Sequence, residues 1–373
     1  MSRSRPPRIA VLQNTVGFDG RTRMITPIIR MLNERGVVPD LVTYGPRDAG
    51  RMVSAVSTTA LRFRVVRLRR VPLAAGDLLE ELILPYSARR HLRAYDAVIA
   101  SCTAIYGFSP TLPVLRLICF PLERVPDFEA RYESSAFRVY GHLARFLYRL
   151  AATRTSYHGI WVAISRFTRT VALETYPIAP AAIHVVYPPA AAGPEGSALG
   201  QRERLVVSVG GFHPDKRQLE QIAIARAVPD ARFAIVGSLR SSRYLDRCSR
   251  AAANVPNVIL MPDASPSAVT DILSRAKVFL HTKENEHFGI STVEAILHGC
   301  IPVVHDSGGQ QEIVADPELR FKDDLDAIRV LRLALLGAFD QRLPTLRAHA
   351  AAFTESSFVA NMAPLLDELL GAI

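Results

Sequence analysis

Two glutamates separated by seven residues, Glu286 and Glu294, bracket the string His-Phe-Gly-Ile-Ser-Thr-Val. Glu286 falls in a loop after the apolar run Val278 to His281, and Glu294 about one turn into a helix that opens near Ser291. Gly289, between them, lets the backbone approach a ligand closely. The N–H groups after it stand at a helix start, where they lack partners within the helix and favour an anion such as a diphosphate. Carboxylates accept hydrogen bonds from vicinal hydroxyls. Two of them flanking a phosphate-binding turn suit a sugar linked to a nucleoside diphosphate better than a bare phosphate. A loop–helix junction with two solvated glutamates is the plainer alternative.

Three further loops carry chemistry-bearing or permissive residues. In Ser208-Val-Gly-Gly-Phe-His-Pro-Asp-Lys-Arg217, a strand ends in Gly210 and Gly211 and a helix is expected near Lys216. A lysine there reaches phosphate oxygens as a point charge; the alternative is a simple turn with surface basic residues. Asp306-Ser-Gly-Gly-Gln-Gln-Glu312 places Gly308 and Gly309 after another strand, as many doubly wound domains do. Asn14 to Gly20 offers Gly17 and Gly20 in a loop after the first strand, expected to face the acceptor side of a cleft. It lacks G-x-G-x-x-G, so it carries no dinucleotide fingerprint.

These loops require a scaffold of alternating strands and helices. In the first half, strands are expected at Arg8 to Gln13, Pro39 to Tyr44, Arg62 to Leu68, Ala97 to Ser101, Val114 to Phe120, Gly159 to Ile164 and Ile183 to Tyr187. Helices are expected at Met24 to Arg35, Leu78 to Leu92, Phe137 to Ala151 (aromatic and Leu residues at core spacing) and Arg166 to Tyr176. Residues 190–203 are small and Pro/Gly-bearing, which reads as a linker. The alternation restarts with strands at Leu205 to Val209, Phe233 to Val236, Val258 to Met261, Val278 to His281 and Ile301 to Val304, and Ser356 to Leu370 reads as a last amphipathic helix. This predicts an N-terminal domain over 1–189, a second over 204–352 and a terminal helical segment over 353–373. Each domain is expected to be a parallel sheet covered on both faces, with ligands at the carboxyl ends of the strands.

At 373 residues, 49% of them hydrophobic and 21% charged, the chain suits two globular domains and excludes a disordered or fibrous class. No run of about 18 uncharged apolar residues suggests a spanning helix. The short polar start, Met1 to Arg8, lacks a leader's apolar core, so a cytoplasmic protein is expected. Cys102, Cys119, Cys248 and Cys300 show no paired spacing and are expected to be reduced and mostly buried. The net charge of +10 fits nucleic acid, an anionic membrane or phosphorylated small molecules. No nucleic-acid module is recognisable, so nucleic acid is not an expected partner. Arg62, Arg64, Arg67, Arg69, Arg70, Arg89, Arg90 and Arg93 form the denser basic stretches; they point to peripheral membrane contact or simply to a solvated face.

The stretch HTKENEHFGISTVEAILHGCIPVVHDSGGQQEIV resembles the donor-site signature of retaining glycosyltransferase family 4, whose E-x7-E motif matches Glu286 and Glu294. Its strings N-E-H-F-G-I and S-G-G are most similar to the mannosyltransferases that extend dolichol-linked oligosaccharides. VSVGGFHPDKRQ resembles the family's phosphate-binding turn, and AISRFTRTVALETYP with VVYPP the end of its first domain. The resemblance covers about Gly159 to Val314. It implies the GT-B fold, two Rossmann-like doubly wound domains facing across a cleft, with a C-terminal helix crossing back to the N-domain. It also implies a GDP-mannose or UDP-sugar donor as substrate, no cofactor and no metal, and a hydroxyl acceptor, lipid-linked or a natural product.

By that resemblance Glu294 binds the ribose hydroxyls. Glu286 and the amides of Phe288, Gly289 and Ile290 hold the sugar and diphosphate, and Lys216 neutralises the departing diphosphate. Two departures stand out. The family usually carries Arg where this chain has Gly211, a charge that His213 or Arg217 would have to replace. Many relatives also place a His in an N-domain loop at the sugar, where this chain reads Ile118-Cys-Phe-Pro121. These departures keep open a second reading, a non-catalytic sugar-nucleotide-binding or scaffold subunit of the same fold.

Overall fold

In the computed structural model, residues 5–17, 20–45, 48–57, 59–69, 77–102, 106–121, 124, 135–153, 155–191 and 202–373 are described. Most of the expected linker and Arg70 lie outside them. The chain divides into two compact units. The first takes the described residues up to Pro189 together with Glu355–Ile373, and the second takes Ala190–Thr354.

The first unit is a seven-stranded parallel sheet. Its strands are β1 (Ile9–Leu12), β2 (Asp40–Thr43), β3 (Arg64–Arg67), β4 (Ala97–Cys102), β5 (Val114–Ile118), β6 (Ile160–Ala163) and β7 (Ile183–Val185), in the order β3-β2-β1-β4-β5-β6-β7. Between them run α1 (Gly20–Glu34), α2 (Ala49–Val56), α3 (Asp77–Leu92), α4 (Ser135–Thr153) and α5 (Arg166–Thr175). β1 and β5 are buried along their whole length, as continuous apolar strands of a doubly covered sheet must be. Arg116 on β5 is wholly buried. It donates to the carbonyls of His158 and Ser156, and its guanidinium lies 4.7 Å from the Trp161 ring centre. Burial pushes its pKa down to about 9. β3, at the sheet edge, has the wet face its alternating arginines predict: Arg62, Arg64, Arg67 and Arg69 are exposed. Gly20 is the first residue of α1 and therefore helical rather than part of a loop; Phe18 and Asp19 lie outside the described residues. The last helix, α13 (Glu355–Gly371), also packs in this unit, where Arg30 pairs with Glu355 at 2.5 Å and Arg35 with Asp367 at 2.7 Å.

One expectation is corrected in α4. On its inner face Ala144 is buried, and Tyr148 and Ala151 share a core cluster with Ile118 and Trp161. Val139, Leu143, Phe146 and Leu150, however, are exposed. The helix has two apolar faces and the sheet can cover only one, so helical spacing alone did not show which was core.

The second unit is a six-stranded parallel sheet in the order β10-β9-β8-β11-β12-β13. The strands are β8 (Glu203–Val209), β9 (Arg232–Gly237), β10 (Val258–Pro262), β11 (Ala276–His281), β12 (Ile301–His305) and β13 (Arg320–Phe321). The helices are α6 (Gln218–Ala227), α7 (Ser242–Ala252), α8 (Pro266–Arg275), α9 (Ile290–Leu297), α10 (Gln310–Ile313), α11 (Asp324–Leu335) and α12 (Leu343–Ala350). From β8 the chain builds outward through β9 and β10, then crosses to β11 on the other side. β8 and β11 therefore flank the point where strand order reverses, the place where such sheets bind ligands. The parallel doubly wound class expected from the sequence holds in both units. Among the described residues no helix is long and apolar enough to cross a membrane. Cys248 and Cys300 are buried and Cys119 partly exposed, all three as free thiols.

Candidate functional site

The turns that follow β8 and β11 meet at this reversal point. After β8 the chain passes through Gly210 and Gly211 into a single 3-10 turn, Pro214–Lys216; α6 begins only at Gln218. Arg217, between them, holds a left-handed φ of 55°. The turn is locked to β11: the Thr282 hydroxyl donates to the Lys216 carbonyl at 3.2 Å, and the Gln221 amide donates to Thr282 at 2.9 Å. Gly237, at the end of β9, is required by close approach. A Cβ there would stand 1.9 Å from the Gly210 carbonyl oxygen.

The β11 turn carries Glu286, which is buried among cations. Lys216 Nζ donates to its Oε2 at 2.6 Å, and His281 Nε2 lies 3.2 Å from the same oxygen. Lys283 Nζ stands 3.7 Å from Oε1 and donates to Asp215 at 3.2 Å. Asp215 in turn receives His213 Nδ1 at 2.6 Å. Burial alone would push the Glu286 carboxyl up, but Lys216, Lys283 and His281 outweigh it and hold it well below the usual carboxylate range. Burial also lowers His281 below its ordinary 6.5, with Lys216 and Lys283 reinforcing and Glu286 opposing. The network thus sets two lysines and a histidine around two acids, Glu286 and Asp215.

Both shifts make acid destabilising. The unfolded chain binds protons to His281 and Glu286 more readily than the folded one, so their stabilisation holds above the unfolded pKa and fades as pH falls. The expected result is a melting temperature that is flat above about pH 7 and declines below the ordinary histidine range. His281→Gln should remove the upper part of that decline in a pH series of thermal melts; an unchanged series would contradict a neutral buried His281.

α9 opens without a side-chain cap. Ser165, Ser241, Ser265 and Asp323 each cap their helices by accepting from a backbone N–H, whereas the N-cap of α9 is Gly289, at φ 111°. The amides of Thr292 and Val293 return to the Gly289 carbonyl. Those of Gly289, Ile290 and Ser291 have no partner among the described residues. The backbone thus presents donors of the kind an anion needs. Phe288 is buried against Phe353, with ring centres 5.4 Å apart. The Gly308–Gly309 loop has a definite role here: a Cβ at either would stand 2.5 Å from the Glu286 or His287 carbonyl oxygen. The Gly309 amide also donates to the Glu286 carbonyl at 2.7 Å. That second pair of glycines is therefore the bed on which the Glu286 loop lies.

Glu294, on α9, is half-buried and accepts from the Ala191 amide at 3.2 Å. The two glutamates thus have different partners. Arg217, expected near phosphate, instead pairs with Glu284 and stands 3.5 Å from Glu220. With Glu284 it lines a separate cavity of about 450 Å³ that also takes in Thr282 and His305. His213 is tied to Asp215. Gly17, in the first unit, donates its amide to Thr22.

Four residues escaped the sequence reading. His281, Lys283 and Asp215 complete the charge network. Arg240 follows β9, held beside the turn after β8 by a bridge between Phe212 and Leu239. A Cβ at Gly211 would stand 2.8 Å from Arg240 Cγ, so the stem of Arg240 fills the space of the missing side chain. Arg240 is exposed and has no carboxylate partner among the described residues. The signals were present: a His ending β11, a Lys two residues on, and an Arg just past β9.

Two doubly wound sheets, with a cationic turn and an uncapped helix start at the reversal point of the second, define the class of the molecule: its fold is that of the GT-B glycosyltransferases. Residues 194–326 match the family model described as glycosyl transferases group 1. The whole chain is similar in fold to Anabaena HepE in complex with UDP and glucose, with a TM-score of 0.74 and 15% identity over 97% of this chain and all of that one. WaaG, a glycosyltransferase involved in lipopolysaccharide biosynthesis, gives 0.68 at 15% identity over 95% of this chain and 99% of that one. In sequence, the chain is 29% identical over 159 residues to a GDP-Man:Man(3)GlcNAc(2)-PP-Dol alpha-1,2-mannosyltransferase of Dictyostelium discoideum, covering 36% of this chain and 31% of that one. The Neurospora crassa protein of the same description is 34% identical over 150 residues, covering 34% and 27%. Each match spans less than a third of the relative's length.

Proposed function

We propose that the chain is a retaining, metal-independent glycosyltransferase that moves a hexose from a nucleoside-diphosphate sugar to a hydroxyl acceptor. The observation that carries this reading is the Lys216–Glu286 pair at the strand-order reversal, beside the uncapped start of α9, within the segment matching the family. The open amides of Gly289, Ile290 and Ser291 bind the diphosphate, and Glu294 takes the ribose hydroxyls by giving up the Ala191 amide. Glu286, kept ionised by its neighbours, accepts from sugar hydroxyls. As the anomeric C–O bond breaks, negative charge grows on the diphosphate and Lys216 turns to it, a preorganised cation. The acceptor oxygen bonds to the anomeric carbon from the same face. Its proton passes to the departing phosphate oxygen, which gives retention.

Mannose carried on GDP is the favoured donor, because the sequence relatives are described as using GDP-Man; a UDP-sugar is the alternative. The acceptor is lipid-linked, by the same likeness, and the exposed Arg62, Arg67, Arg69, Arg89, Arg90 and Arg93 supply contact with a membrane surface. Arg64 adds less, being paired with Asp40 at 2.7 Å. Incubating the protein with GDP-mannose and following the anomeric proton by NMR tests the reading. Release of GDP with α-linked product, or slow hydrolysis without acceptor, is expected. Nucleotide binding without any turnover would instead make the chain a sugar-nucleotide-binding subunit.

Arg240 supplies the cation that Gly211 lacks. Arg240→Ala is expected to raise the donor KM roughly tenfold, about 1.4 kcal/mol, with kcat little changed. Gly211→Arg should restore the loss in the Arg240→Ala background, where the clash with Arg240 Cγ is gone, yet give no gain in the wild-type chain. Unaltered donor kinetics in Arg240→Ala would remove Arg240 from the site.

A further inference from the structure

Eleven large apolar side chains are notably exposed among the described residues, and four of them lie on α4: Val139 at 70%, Phe146 at 62%, Leu143 at 52% and Leu150 at 39%. Their spacing of four, three and four residues puts them within about 60° on a helix that turns about 100° per residue. Of the others, Leu325 and Leu336 stand at opposite ends of α11 and the rest on separate elements, so none forms a comparable stripe. Opposite this crest Ala144 is buried, and Tyr148 and Ala151 are buried with Ile118 of β5 and Trp161 of β6, so the helix is anchored and its crest faces outward.

The charge along α4 says what can cover the crest. The sequence SAFRVYGHLARFLYRLAAT contains three arginines and a histidine and neither Asp nor Glu. Positions 138, 142, 145 and 149 fall together, within about 60° along one flank of the crest. An apolar ridge bordered by cations on a helix lying flat matches the boundary between acyl chains and anionic headgroups. A second copy of the chain fits poorly, because pairing two such crests would bring like charges together with no acid on the helix to offset them. We propose that α4 is a membrane-docking helix that inserts Val139, Leu143, Phe146 and Leu150 into an anionic lipid surface, with Arg149 and its neighbours on the headgroups. The inference rests on the membrane contact proposed above and adds to its arginines an apolar anchor, α4. It needs none of the donor chemistry.

The test is co-sedimentation of the full chain with phosphatidylcholine vesicles, with and without phosphatidylglycerol, for wild type and Leu143→Glu/Phe146→Glu. Both substitutions are on exposed positions, and thermal melts check that the fold persists. Wild type should bind the anionic vesicles and bind neutral ones at least tenfold more weakly. The double variant should lose at least tenfold in binding to anionic vesicles while its nucleoside-diphosphate affinity is unchanged. Arg149→Gln should lose a smaller factor, and the loss should shrink at high salt. Binding of the double variant equal to wild type, or no vesicle binding by wild type, would overturn the proposal. So would a wild-type dimer in sedimentation velocity that the double variant dissociates, since the crest would then be an interface between copies. Loss of nucleotide binding by wild type itself would strike the donor reading and leave α4 untouched.

Discussion

Lys216→Ala is expected to slow glycosyl transfer by roughly 10²–10³-fold, equivalent to about 2.7–4 kcal/mol in the barrier, the range seen when one preorganised donor to a developing oxyanion is removed. The size follows from position. Lys216 is held in a short turn whose carbonyl is bonded by Thr282, and its ammonium is held 2.6 Å from Glu286. Little reorganisation is needed for it to meet a departing diphosphate. Because that charge appears mainly in the transition state, the loss should fall more on kcat than on KM. Turnover within a few-fold of wild type would detach Lys216 from the leaving group.

Glu286→Ala should have the largest effect on stability. The carboxylate is buried and is the acidic partner of Lys216 and a neighbour of Lys283 and His281. Removing one member of such a cluster leaves uncompensated buried charge, which costs about 3–5 kcal/mol. For a unit of this size that corresponds to a fall of roughly 6–20 °C in melting temperature. Lys216 is a quarter exposed and can turn partly to water, so the lower half of the range is expected. Glu286→Gln keeps the shape and one of the two acceptor oxygens and should melt closer to wild type, yet still transfer poorly because the ionised acceptor is gone. If Glu286→Ala melted with wild type, the buried network would not be a structural unit.

The strands were legible because each core strand is a short apolar run closed by Gly, Pro or a polar turn. β1, β5, β8 and β11 follow that pattern directly. α2 was missed because eight residues give little periodicity, and β13 because two residues give none. Glu286, Gly289 and Lys216 stood out because titratable or permissive residues directly after apolar strands are unusual enough to notice. Their partnership was not legible. Lys216 and Glu286 are 70 residues apart, and only the reversal of strand order, which sets β8 against β11, brings them to one place. The same holds for Asp215 with Lys283, for Gly211 with Arg240, and for the Gly308–Gly309 bed beneath the Glu286 loop. Local pattern reports what a residue can do. Sheet order decides what it meets, which is also why the crest of α4 passed for core.

The most direct measurement is a calorimetric titration of GDP and UDP into the wild-type chain, Lys216→Ala and Glu294→Ala. One nucleoside diphosphate should bind wild type with one-to-one stoichiometry, and each substitution should weaken it at least tenfold, Lys216→Ala through the phosphates and Glu294→Ala through the ribose. Affinity unaffected by both substitutions, or no heat with either nucleotide at millimolar concentration, would contradict a sugar-nucleotide site at the meeting of the β8 and β11 turns.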